Sequence, residues 1–162
     1  MPPNPARVYW DSCVFLSYIN GYEERLPTID ALLAESSDRE NEREIVSSTF
    51  TIVEVAFDLN EQAQAALDSE TEAKIDALWG DRYAVKLIEF HEGIARDART
   101  LMRGAVASGR PSLKPGDAIH LASARSLEVV EFHTYSKDLA RFTDLTGLKI
   151  VEPSVDQPQL FA

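Results

Sequence analysis

The sequence is poor in the residues on which many enzymes depend. It holds one cysteine, Cys13, in 162 residues, which excludes an intramolecular disulfide and a cysteine-based zinc site. Histidine is limited to His91, His120 and His133, and the segment HEGIA at His91 lacks the second histidine of a zinc-protease helix. There is no glycine-rich phosphate loop and no G-x-S-x-G turn. No apolar run approaches the ~20 residues needed to cross a bilayer. The opening MPPNPAR carries no apolar segment behind a basic cluster, so neither a membrane span nor a secretory signal is expected. Positive charge is scarce as well: 16 Lys and Arg stand against 27 Asp and Glu, a formal net charge of -11. That balance argues against broad attachment to nucleic acid, but allows a local cationic groove or metal ions that reverse the sign of one pocket. The expectation is a cytoplasmic protein with an acidic, solubilising surface.

Apolar residues are plentiful, 44% of the chain, enough for the core of one domain. Short runs rich in β-branched and aromatic residues predict strands at Val8–Trp10, Ile45–Ser48, Val85–Glu89, Glu131–Tyr135 and Leu148–Val151. Helical patterns separate them: Ser12–Ile19, Thr28–Glu40, Thr51–Leu59, Glu70–Leu78, Glu92–Ala107, Gly116–Leu127 and a short piece after Lys137. Ser69–Glu72 has capping-box form with Ser69 as N-cap, and Pro115 suits a first helical turn. Strands alternating with helices imply a mainly parallel sheet covered on both faces. The domain is expected to end near residue 151, with a loose tail over 152–162. The charge run Asp38–Glu44 and the polar stretch Glu61–Glu72 read as solvated faces or loops.

Four acids stand out. Asp11 interrupts the almost unbroken apolar run RVYWDSCVFLSYI at the C-terminal end of the first strand. Glu54 sits between Val53 and Val55 in STFTIVEVAF, Asp117 opens the Ala- and Leu-rich helix of LKPGDAIHLASA, and Asp138 follows the fourth strand in TYSKDLARF. Each has a structural explanation: Asp11 as a helix cap, Asp117 as a partner of the helix dipole. All four nevertheless map to strand C-termini or nearby helix starts, which converge on one crevice in an open α/β sheet. Clustered carboxylates repel unless protons or cations compensate them, and hard divalent ions such as Mg²⁺ prefer oxygen ligands. Such a site can hold a water nucleophile against a phosphodiester.

These segments resemble the PIN-domain nucleases, especially the VapC-like toxin ribonucleases. The resemblance rests on VYWDSCVFLSYI, VSSTFTIVEVAF, LKPGDAIHLASA and FHTYSKDLARF, and spans about residues 7 to 151. It implies a three-layer α/β/α sandwich with a five-stranded sheet, and Mg²⁺- or Mn²⁺-dependent RNA cleavage leaving a 5′-phosphate and a 3′-hydroxyl. It also implies an antitoxin partner, with a homodimer as a further expectation. Asp11, Glu54 and Asp117 match the family's metal-binding acids. The departure comes two residues after Thr134, where Ser136 stands in place of an acid that the family often carries. Asp138 matches a second acid of many members and is the expected substitute.

Other constellations carry less. Cys13 reads as a small buried residue, Ser12 and Thr49 as helix caps, and His120 as a packed helix residue close to the crevice. Arg82, Arg125 and Arg141 are candidate phosphate contacts. The rival readings are a noncatalytic PIN-like interaction module and a phosphatase built on Asp11. The second lacks its general acid, because the residue two after Asp11 is Cys13.

Overall fold

Five apolar stretches pair into one sheet. The computed structural model describes residues 4–38, 40, 42–81 and 83–156. Its strands are β1 (Ala6–Trp10), β2 (Arg43–Ser48), β3 (Val85–Ile88), β4 (Glu131–His133) and β5 (Ile150–Val151). They lie in the order β3-β2-β1-β4-β5, and every pairing is parallel. The helices among the described residues are α1 (Ser12–Asn20), α2 (Leu26–Ser37), α3 (Phe50–Glu54), α4 (Leu59–Gln64), α5 (Ser69–Gly80), α6 (Glu92–Ala107), α7 (Pro115–Ser126) and α8 (Thr143–Thr146). A 3-10 turn covers Lys137–Phe142.

The pleat of β1 shows how the layers form. Val8 and Trp10 pack to one side with Phe15 and Ile19 of α1, Ile29 and Leu32 of α2, and Ile75 and Leu78 of α5. Tyr9 points to the other side, among Ile94 and Leu101 of α6, Leu121 of α7 and Phe132 of β4. Both faces are thus covered, which is why the strands read as nearly continuous apolar runs instead of alternating ones. The result is the expected α/β/α sandwich.

Strand order fixes where a site can form. The chain steps outward from β1 to β2 and β3, then returns to place β4 on the other side of β1 and β5 beyond it. The direction of winding therefore reverses between β1 and β4. In open α/β sheets the crevice outside the carboxyl ends at such a reversal is where ligands bind.

Several local expectations are corrected by partners distant in sequence. The helix expected over Thr51–Leu59 stops at Glu54, and Asp58 caps a new one that begins at Leu59. The Asp58 side chain accepts from Glu61 N at 2.7 Å while Glu61 Oε1 accepts from Asp58 N at 3.2 Å, a reciprocal capping box. Glu61 is accordingly buried, unlike the solvated stretch expected there. Asp68, rather than Ser69, caps α5 by accepting from Thr71 N at 3.1 Å. In the charge run, Arg43 and Glu44 are buried in β2. Glu44 receives Arg7 at 2.9 Å and Lys86 at 2.6 Å. Arg43 makes two bonds to Glu35, at 3.0 and 2.8 Å, and donates to the carbonyls of Ser154, Val155 and Asp156 at 3.2, 2.7 and 2.9 Å. Residues 154–156 of the expected tail are thus strapped to β2, and 157–162 lie outside the described residues, as do Arg39, Asn41 and Arg82.

Candidate active site

Asp11 is both a helix cap and the hinge of the crevice. With an extended backbone after β1, it accepts from Cys13 N through Oδ1 at 2.9 Å, which starts α1. Its Oδ2 accepts from Thr134 Oγ1 at 2.6 Å, and its own N–H donates to His133 O at 3.3 Å. The carboxylate therefore bridges β1 and the end of β4 across the reversal point. It is only 5% exposed. A buried charge is tolerable when hydrogen bonds of this kind hold it.

Glu54 ends α3, the short helix that follows β2. Its Oε1 bonds to His120 Nε2, and the opposite ring nitrogen, Nδ1, lies 2.7 Å from the Tyr9 hydroxyl. With a carboxylate accepting at Nε2, the neutral tautomer has Nδ1 free to accept the tyrosine proton. Burial pushes the Tyr9 hydroxyl well above its usual range, so it remains a donor. A Cβ placed on Gly116 would lie 3.5 Å from Glu54 Oε2 and 3.5 Å from the Phe50 ring, so Glu54 sits against the start of α7.

Asp117 occupies the first turn of α7, three residues before His120 and on the same side of the helix. Burial raises its carboxyl above the ordinary aspartate range. The negative charges of Asp11 and Glu54 push in the same direction, while His120 and Lys114 oppose them. The side chain of Asp138 is 84% exposed and its carboxylate pairs with Arg141 at 2.7 Å.

Among the described residues, no three His, Cys, Asp or Glu side chains already stand in a metal-holding group. The tie between Glu54 and His120 commits one carboxylate oxygen to a ring nitrogen. The donor chemistry nevertheless fits a hard divalent ion. Asp11, Glu54 and Asp117 offer carboxylate oxygens, and among the described residues none of them forms an ion pair with Lys or Arg.

The remaining candidates sort clearly. Burial, followed by the charge of Asp11, pushes the Cys13 thiol up to about 12, so it is not a nucleophile at neutral pH. His133 is buried beneath the sheet end, where Trp10 Nε1 donates to its Nδ1 at 3.1 Å. His91 caps α6. Thr49 heads α3 without a side-chain cap bond, and its hydroxyl accepts from Phe90 N at 3.1 Å instead. Ser12 is the first helical residue rather than the cap. Arg125 is exposed in the last turn of α7, roughly 12 Å along the helix from Asp117. Tyr9 was invisible as a site residue, because one tyrosine in an apolar strand carries no signal of what its hydroxyl meets. Thr134 was legible as a motif position, but its bond to Asp11 spans 123 residues of sequence.

The chain is an all-parallel α/β/α sandwich with Asp11 at the carboxyl end of its central strand and Glu54 and Asp117 on neighbouring helix ends. Within it the PIN domain profile matches residues 8–145, and the chain belongs to that family. Its fold is similar to VapBC2 from Rickettsia felis bound to a DNA fragment from its promoter, with 13% identity and a TM-score of 0.62 over 89% of this chain and 96% of that one. It is similar to VapBC-5 from Mycobacterium tuberculosis, a toxin-antitoxin system, with 19% identity and a TM-score of 0.58 over 91% and 99%. It also resembles M. tuberculosis VapC20, a toxin that cleaves the sarcin-ricin loop, with 12% identity and a TM-score of 0.59 over 83% and 93%. No curated protein matches the chain significantly by sequence. Among the described residues no helix is long and apolar enough to cross a membrane.

Proposed function

We propose that the chain is a divalent-metal-dependent endoribonuclease of the VapC kind, acting in the cytoplasm as a toxin restrained by an antitoxin, with a homodimer as its own assembly. The observation that carries this reading is the placement of Asp11 directly after β1, Glu54 at the end of α3 against the start of α7, and Asp117 in the first turn of α7, around the carboxyl ends of the central strands. Membership of the PIN family supports it, as does a fold shared with a member of the VapBC family of toxin-antitoxin systems and with a toxin that cleaves the sarcin-ricin loop. RNA is favoured over DNA by this kinship alone, since no residue of the site visibly reads a 2′-hydroxyl.

Mg²⁺ or Mn²⁺ would be held by Asp11, Glu54 and Asp117, with Asp138 as a peripheral carboxylate once its pair with Arg141 opens. When bound, such an ion supplies positive charge to a phosphodiester and lowers the pKa of water. The chain's own groups do the positioning. Thr134 and the Cys13 N–H fix both oxygens of Asp11. His120 holds Glu54 and can pass a proton at Nε2, while Tyr9 fixes the ring through Nδ1. The three acids alone repel a phosphate placed beside them, so occupancy by a cation is what makes that one position able to accept it.

The test is incubation of the purified protein with structured and single-stranded RNAs in Mn²⁺ or EDTA, followed by analysis of product ends. Cleavage in Mn²⁺ only, giving 5′-phosphates, is expected. RNA that stays intact in Mn²⁺, together with an unchanged melting temperature, would replace this reading with a noncatalytic interaction module. Ser136 in the place of an acid and the engagement of Glu54 by His120 are the two observations that favour that rival.

A further inference from the structure

Arg25 stands out in an acidic chain. It heads α2, and among the described residues it forms no ion pair with a carboxylate. Its guanidinium lies over two tyrosine rings, 4.0 Å from the centroid of Tyr135 and 5.1 Å from that of Tyr22. Nη1 donates to Ser17 Oγ at 2.9 Å, and Ser17 in turn donates to Cys13 O at 2.8 Å. Nε and Nη2 bond to nothing among the described residues, which leaves donors of the planar fork unspent.

The anchoring ties this group to the crevice. Ser17 belongs to α1, the helix that Asp11 caps, and its acceptor Cys13 lies two residues from that acid. Tyr135 directly follows Thr134, the residue that donates to Asp11, and its N–H reaches Cys13 Sγ at 3.2 Å. A cation held this way loses little freedom when an anion arrives, since the rings and Ser17 already restrict it. The guanidinium fork matches phosphate oxygens in pairs. Tyr22 is 38% exposed, so part of its ring is open to a second planar group. Cationic contacts beside open aromatic rings are how single-stranded nucleic acids are held without reading sequence. Glu23 and Glu24 flank the group but are exposed, where salt screens them, and neither pairs with Arg25.

We propose that Arg25, braced by Tyr22 and Tyr135, takes a phosphate of single-stranded RNA next to the one presented to the acids, while the open part of Tyr22 stacks a neighbouring base. The assignment rests on the nuclease reading, and its test separates the two. Binding of a short fluorescent oligouridylate is measured by anisotropy in EDTA across a KCl series, beside Mn²⁺-dependent RNA cleavage and the Mn²⁺-induced melting shift. Arg25→Gln should weaken binding about tenfold and flatten the slope of log K against log salt by about 0.7, the share of one phosphate contact on a single strand. Tyr22→Leu should weaken binding about tenfold with the slope unchanged. Arg25→Lys keeps the charge without the fork, so it should retain the slope at reduced affinity, and it decides the matter with Tyr22→Leu if Arg25→Gln does not fold. Both should leave the Mn²⁺ melting shift as in the wild type. Wild-type affinity and slope in Arg25→Gln overturn the inference even if RNA is cleaved, and so does a wild-type protein that binds no oligouridylate. Binding that depends on Arg25 with no cleavage and no Mn²⁺ shift would keep the clamp and sink the nuclease.

Discussion

Replacing Thr134 with valine tests the crevice at its firmest joint. The hydroxyl is buried and donates to Asp11 Oδ2 at 2.6 Å, a short bond to a charged acceptor. Valine keeps the shape and removes the donor, which leaves a 5%-exposed carboxylate with the Cys13 N–H as its remaining hydrogen bond. Bonds to charged groups contribute about 1.5–3 kcal/mol, and stranding the buried partner puts the cost toward the upper part of that range. The Ser136 N–H also loses its acceptor, at 3.0 Å, but Ser136 is exposed and water takes over. For a domain of this size each kcal/mol shifts the melting temperature by about 2–4 °C, so Thr134→Val should melt about 3–12 °C lower. A urea-denaturation cycle with Asp11→Asn isolates the pair, with an expected coupling of about 1 kcal/mol or more. Independent, additive effects within about 0.5 kcal/mol would refute the claim that this bond fixes the carboxylate.

Mn²⁺ should raise the melting temperature of the wild type, by the equivalent of about 2.7 kcal/mol at a hundredfold excess over Kd, and calorimetry on Asp117→Asn should show the shift lost. Without metal, Asp117→Asn should be more stable than the wild type at neutral pH. A carboxyl raised above its usual range destabilises the fold when ionised, so a less stable variant would contradict the crowding. Asp138→Asn should reduce RNA cleavage chiefly at low metal and recover with excess Mn²⁺, whereas loss at every concentration would move Asp138 to the centre of the site. Glu131 is held below the ordinary glutamate range by its bond to His133 Nε2, with Lys149 helping. Its contribution is therefore present at neutral pH and fades as pH falls through that depressed value. Urea curves of Glu131→Gln and wild type should converge toward acid, and a gap that widens there would show the sign to be wrong.

The layers and the acids were legible because their causes are local or periodic. Val8, Tyr9 and Trp10 announce a strand buried on both faces, and an acid directly after them can only sit at its carboxyl end. What could not be read depends on partners far along the chain. Arg43 and Glu44 look like part of a solvated run until Glu35, Arg7 and Lys86 are seen to neutralise them. The break between α3 and α4 was readable in principle, since Asp58 and Glu61 have the spacing of a capping box, but the apolar pattern through Val55 and Phe57 masked it. The orientation of Asp138 could not be inferred, because a carboxylate in an exposed turn is free to choose its partner. The role of His120 was half visible: its place on the helix was clear from Asp117, but its two hydrogen bonds join residues from three elements.

The bond from Thr134 to Asp11 also has a consequence in time. On the ribosome the hydroxyl that orients Asp11 arrives 123 positions after it, and β4 can take its place beside β1 only then. A strand pairing of such long range closes a large loop and cannot be anticipated by local structure. Chains cut short by a broken message or by stalled translation after residue 117 but before residue 134 would carry all three acids and still lack the hydroxyl that fixes Asp11. Asp11 and the hydroxyl that fixes it thus meet only in molecules whose translation has passed residue 134.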